Sequence, residues 1–184
     1  LLEITKLPKE IEDAIMKKKF ELEQLPDVDY PAVYSFKMEM LKKIYALVDT
    51  SKDEEFKKFV EDNKGWLYPY SLYCYFRDKY GTSNFREWPE HSEITQEEVH
   101  NLCKQLSKEL DYTYWQQYVC DKQFKEAVDY AVQHRVALKG DLPIGVYLNS
   151  VECWAFPKNF RMNMCAGAPP DQFSGDGQNW FFPT

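Results

Sequence analysis

Carboxylates, amides and aromatic rings crowd together in the last quarter of the chain. Gly167, Ala168, Pro169, Pro170, Asp171, Gln172, Phe173 and Ser174 run directly into Gly175, Asp176, Gly177, Gln178, Asn179 and Trp180. A stiff Pro-Pro turn, two carboxylates, three amides and two rings in so short a stretch suit a sugar. A pyranose offers apolar C–H faces to an aromatic platform and a rim of hydroxyls to Asp, Asn and Gln. The competing reading is a stiff structural loop whose rings simply pack. Upstream, Asp141 follows the apolar run Arg135 to Gly140, which reads as a buried strand after a helix. In α/β barrels a carboxylate just past a strand faces the site, because the loops at that end converge. An aspartate that only caps the next turn fits the same pattern.

These residues need a scaffold, and most of it reads as helix. Apolar positions recur at helical spacing over 8–24 (Ile11, Ala14, Ile15) and 31–48 (Val33, Phe36, Met40, Leu41, Ile44, Leu47), with a turn through Pro26 and Pro31 between them. Helical patterns continue over 53–62, 67–79, 95–109 and 111–133. Thr95 followed three residues later by Glu98 predicts a capping box. From Gly140 onward the chain is rich in Pro, Gly, Asn and Asp, yet carries too many rings for a disordered tail.

Composition narrows the function. With 184 residues, 44% hydrophobic and 16% aromatic, the chain has material for a sizeable core. The net charge of −7 and the mixed-sign lysine stretches argue against nucleic acid as a partner. No apolar run approaches the roughly 20 residues that cross a bilayer, and residues 1–20 are unlike a signal peptide. Cys74, Cys103, Cys120, Cys153 and Cys165 form an odd set without a C-x-x-C pair, which favours reduced thiols over a disulfide framework or a zinc site. A cytoplasmic protein without metal or cofactor is expected. His91, His100 and His134 are dispersed and receive no role. The chain opens on Leu1 and closes at Thr184 within the aromatic stretch, so both ends read as cuts in a longer protein.

Three motifs occur in order: Gly140-Asp141-Leu142-Pro143-Ile144-Gly145-Val146, then Asn149-Ser150 with Trp154, then Gly167 through Pro183. Together they resemble the amylomaltase, or disproportionating-enzyme, family of 4-α-glucanotransferases. Gly65 to Tyr70, Phe76-Arg77-Asp78 and Trp88 resemble its cytosolic plant-type branch. The resemblance implies an α/β fold, part of a (β/α)8 barrel with a largely helical inserted subdomain. Residues 1–64 would be the insertion and 65–184 part of the barrel with its cleft loops. It further implies transfer of α-1,4-glucan segments from maltose or maltodextrin to a glycogen- or starch-like acceptor by a retaining double displacement. The aspartate nucleophile and glutamate acid/base of that reaction are expected beyond Thr184, so no catalytic residue is assigned here.

Carried onto this sequence, the resemblance makes Asp141, Asn149, Ser150, Asp171, Phe173, Gln178 and Trp180 the substrate-binding residues. Asp141 would support the cleft electrostatically. Asp171 and Phe173 would lie on a loop over the acceptor side, and Gln178 and Trp180 would anchor its far end. Trp154 reads better as a core ring. The chain departs from the family pattern at Tyr147, Leu148, Glu152, Gln172 and Phe181. Phe181 stands where the pattern has glycine and is expected to avoid a glycine-only backbone angle, changing the loop's exit. These departures motivate the alternative of a catalytically inactive α-glucan-binding relative. A third reading is a helical interaction module built from residues 1–133.

Overall fold

The computed structural model describes residues 7–184. The chain divides into two compact units, residues 1–55 and 56–184. In the first, α1 (Lys9–Glu23) and α2 (Tyr30–Tyr45) form a helical pair. Glu10 and Glu12 complement the positive end of α1. Asp29 caps α2 by accepting the Ala32 N–H at 2.9 Å, and Lys42 and Lys43 occupy its last turn. Ile11, Met40 and Ile44 are buried.

The second unit is built on α3 (Glu54–Tyr80), α4 (Gln96–Gln105) and α5 (Ser107–Gln133), followed by the single turn α6 (Val151–Ala155). Two helices were expected over 53–62 and 67–79, but α3 runs through without a break. It also crosses the 64/65 position, where the sequence reading ended the insertion. Pro69 lacks a donor and crowds the carbonyl of the residue four earlier, Gly65, which normally bends or stops a helix. Burial outweighs that cost here: Leu67 and Leu72 are fully buried, and Pro69 is nearly so. Thr95 and Glu98 form the expected capping box, with Glu98 N donating to Thr95 Oγ1 at 3.2 Å and Thr95 N to Glu98 Oε2 at 2.8 Å.

An aromatic core holds this unit together. Trp88 and Trp154 lie 5.5 Å apart edge to face, and Tyr73 and Phe76 close around both. On the other side, Phe56 and Phe59 of α3 each lie 5.6 Å from the Tyr118 ring of α5. Tyr114 and Tyr118 sit four residues apart on one face of α5, and Leu110 precedes them at the same spacing.

The expected strand at 135–140 does not form. These residues are exposed and lie outside any helix or strand. A barrel strand is held by ladder bonds to neighbours on both sides, and a three-residue apolar run cannot supply them alone. Among the described residues the sheet structure is one antiparallel pair, β1 (Cys165–Ala168) and β2 (Gln178–Pro183), so the (β/α)8 barrel is not assembled within them. Gly167 pairs with Asn179 and Ala168 with Gln178, whereas Cys165 pairs with Pro183. β1 thus advances two positions while β2 advances four, which makes a bulge at Trp180–Phe182. Gly167 is required there, since a Cβ would lie 2.1 Å from the Gln178 carbonyl oxygen. No helix among the described residues is long and apolar enough to cross a membrane.

Candidate functional site

The hairpin β1–β2 carries four of the seven candidate binding residues. Its loop, 169–177, is fixed by Asp171, whose Oδ1 accepts the backbone N–H of Phe173 at 2.8 Å and of Ser174 at 2.7 Å. The Asp171 N–H closes the turn on the Ser174 carbonyl at 3.0 Å. Ser174 Oγ donates to the Gly177 carbonyl at 2.7 Å, and Gly177 takes the left-handed angle (φ 74°) that ends the loop. The Pro-Pro pair restricts the other side. Phe173 stands at the tip of this constrained loop and is 88% exposed. The described residues do not pack this ring. Behind it, Trp180 Nε1 donates to Gln178 Oε1 at 2.9 Å, which holds the indole against its own strand. Trp180 and Phe182 lie 5.9 Å apart, and Phe182 covers Gly145, where a Cβ would meet its ring at 2.2 Å. This last contact ties the 140–146 segment to the hairpin.

Phe181 corrects an expectation. It does adopt the positive angle, φ 59°, that the sequence reading reserved for glycine. A side chain in the left-handed region costs about 1–2 kcal/mol, so the region is costly rather than closed to phenylalanine. The angle is held by the bulge and by Asn179 Oδ1, which accepts the Phe181 N–H at 2.9 Å.

Asn149 and Ser150 lie elsewhere, in the turn before α6, and their bonds there are structural. Ser150 Oγ caps α6 by accepting the Cys153 N–H at 3.4 Å. Asn149 Oδ1 accepts from Arg86 Nη1 at 3.3 Å. The Tyr73 hydroxyl lies within bonding reach of the Ser83 carbonyl (2.8 Å) and of the Asn149 carbonyl, its one proton shared between them. Burial pushes that hydroxyl up to about 12, so it stays a neutral donor. Trp154 is 1% exposed and donates to the His91 carbonyl at 2.8 Å, which bears out its reading as a core ring. Arg86 and Tyr73 were not singled out from sequence; their bonds to residue 149 span 63 and 76 positions, beyond any local pattern. Asp141 is exposed and accepts the N–H of the adjacent Leu142 at 3.0 Å.

A cleft of about 680 Å³ opens beside Arg86, Ser92, Thr95, Glu98 and Trp154. None of the seven candidate residues lines it. The structure therefore gathers Asp171, Phe173, Gln178 and Trp180 on one hairpin, places Asn149 and Ser150 together at the start of α6, and leaves Asp141 exposed in the irregular segment between α5 and α6.

The glycoside hydrolase 77 family, described as 4-alpha-glucanotransferase, matches residues 1–184, and the chain belongs to it. A 4-alpha-glucanotransferase of rice (Oryza sativa subsp. japonica) is 40% identical over 183 residues, covering 97% of this chain and 19% of the rice protein. The 4-alpha-glucanotransferase of Chlamydia pneumoniae is 34% identical over 89% of this chain and 31% of its own length. Among solved structures, an amylomaltase from Streptococcus agalactiae in complex with acarbose superposes with a TM-score of 0.74 at 25% identity, over 95% of this chain and 39% of that one. The chain thus spans between a fifth and two fifths of the length of these relatives.

Proposed function

We propose that this chain is part of a 4-α-glucanotransferase that moves α-1,4-glucan segments from a maltose or maltodextrin donor to a glycogen- or starch-like acceptor, and that the hairpin 165–183 is one wall of its glucan cleft. The observation that carries this is Phe173, almost fully exposed on a loop that Asp171 and the Pro-Pro pair hold rigid. A rigid, solvent-facing ring beside amides and carboxylates is what stacking on a pyranose requires. Family membership gives the ring its ligand class.

In this reading the parent folds as a (β/α)8 barrel, for which family membership and the similarity to the amylomaltase structure speak, and residues 1–64 are its helical insertion and 65–184 carry its cleft loops. Phe173 stacks on an acceptor-side sugar, Trp180 and Gln178 brace the base of the loop, and Asp171 sets its shape. Asn149, Ser150 and Asp141 belong to the same cleft in this reading through the family motifs they carry. Transfer with retention needs a nucleophilic carboxylate and an acid/base about 5–5.5 Å apart; both belong to other parts of the parent. The free thiols fit a cytoplasmic enzyme.

The test is incubation of the full-length protein with maltose and glycogen. Glucose release is expected, and its absence would refute transfer. Binding of maltoheptaose with no change in chain-length distribution would leave an inactive glucan-binding relative.

A further inference from the structure

Gly145 owes its residue type to space rather than to backbone angle. Its φ is not positive, unlike those of Gly81 and Gly177. A Cβ at this position would nevertheless overlap Cδ2 and Cε2 of the Phe182 ring and lie 2.8 Å from its Cγ. Gly140, in the same motif, has nothing within 4 Å of its missing side chain. The Phe182 ring therefore lies directly on the backbone of residue 145. Because Cγ is placed by the first side-chain torsion, turning the end of the ring cannot make room; the torsion or the strand itself must move. That strand is the bulged part of β2, where Asn179 Oδ1 holds the Phe181 N–H at 2.9 Å. Phe182 in turn lies 5.9 Å from Trp180, whose Nε1 is bonded to Gln178. A chain of contacts thus runs from the Asp141 segment through Gly145, Phe182 and Trp180 to Gln178, at the base of the loop that carries Phe173.

We propose that Gly145 is a positioning residue for glucan binding: its missing side chain seats Phe182, and through Phe182 and Trp180 it sets how the hairpin presents its loop to the glucan. This rests on the hairpin being a glucan wall. No left-handed angle opposes an alanine at 145. With open space around it, such a substitution would stabilise the fold by restricting the unfolded chain. A loss of affinity in Gly145→Ala therefore reports the displaced ring.

The experiment is calorimetric titration of the full-length protein with maltoheptaose, for wild type, Gly145→Ala, Gly145→Val, Phe182→Ala and the double variant Gly145→Ala/Phe182→Ala, with Phe173→Ala as the control for the wall itself. Gly145→Ala is expected to weaken binding about two- to tenfold, the worth of one aromatic contact, and Gly145→Val by at least as much. In transfer kinetics the loss sits in KM for maltoheptaose rather than in kcat. In the Phe182→Ala background, Gly145→Ala changes affinity by less than about twofold, because the ring it would displace is gone; the double-mutant cycle reads this coupling. Equal losses from Gly145→Ala in the two backgrounds overturn the proposal, as does wild-type affinity in both Gly145 variants while Phe173→Ala binds weakly; either result leaves the wall standing. If Phe173→Ala also binds like wild type, the wall falls and the proposal with it. Gly145→Val acts on the intact ring and carries the test if Phe182→Ala does not fold.

Discussion

Replacing Asp171 separates a cap from a sugar contact. Its carboxylate accepts two backbone amides, at 2.8 and 2.7 Å, and these bonds with the Pro-Pro pair define the loop that presents Phe173. The amides are near solvent and can be rehydrated, so Asp171→Ala loses about what a helix cap loses, roughly 1–2 kcal/mol. A loss of about 1.4 kcal/mol changes the ratio of ordered to open loop tenfold. Apparent Kd rises as the reciprocal of the ordered fraction. Maltoheptaose should then bind about twofold more weakly if the loop starts with a tenfold bias to order, and about fivefold more weakly if it starts near balance. Asp171→Asn keeps the oxygen acceptor and should remain close to wild type. The assay is calorimetric titration of the full-length protein with maltoheptaose. Wild-type affinity in Asp171→Ala would refute the view that the cap positions Phe173. A loss in Asp171→Asn as large as in Asp171→Ala would show that the charge itself meets the sugar.

Two predictions concern stability. Trp154→Ala should cost about 3–5 kcal/mol by the urea midpoint, because a buried indole with a bonded Nε1 is removed from the aromatic core, whereas Trp154→Phe should cost roughly 1–2; equal small losses would contradict the packing described. Alkaline pH should also destabilise the fold. Burial raises Tyr73 from 10.0 to about 12 and Cys103 from 9.0 to about 11, so the unfolded chain gives up these protons first. Stability is then fully present below about pH 9 and falls as pH rises towards 12. A melting temperature flat from pH 8 to pH 11 would argue that neither group is buried as described.

What was legible in the sequence was local or strongly periodic. The Thr95–Glu98 box is visible because both partners sit within one turn, whereas the break expected at 110 falls at Leu106, so Leu110 lies inside α5 in line with Tyr114 and Tyr118. Trp154 could be assigned to the core from residue type alone. The run from Arg135 to Gly140 misled because three apolar residues say nothing about pairing partners, which a strand needs and these residues lack. In α3, the break expected between 62 and 67 does not occur, and burial of Leu67 and Leu72 carries the helix through Gly65 and Pro69. The strands of the hairpin, which carries four of the candidate binding residues, were hidden by its turn-rich loop. Phe181 shows why angle cannot be inferred from side chain: the bulge and Asn179 impose it.

The most direct test of the glucan wall is maltoheptaose affinity in the full-length protein with Phe173→Ala. Removing the exposed ring leaves the Asp171 turn intact, since both bonds run to backbone amides. Weakening of about two- to tenfold with an unchanged melting temperature is the predicted result. Wild-type affinity in this variant would mean that the hairpin does not face the glucan.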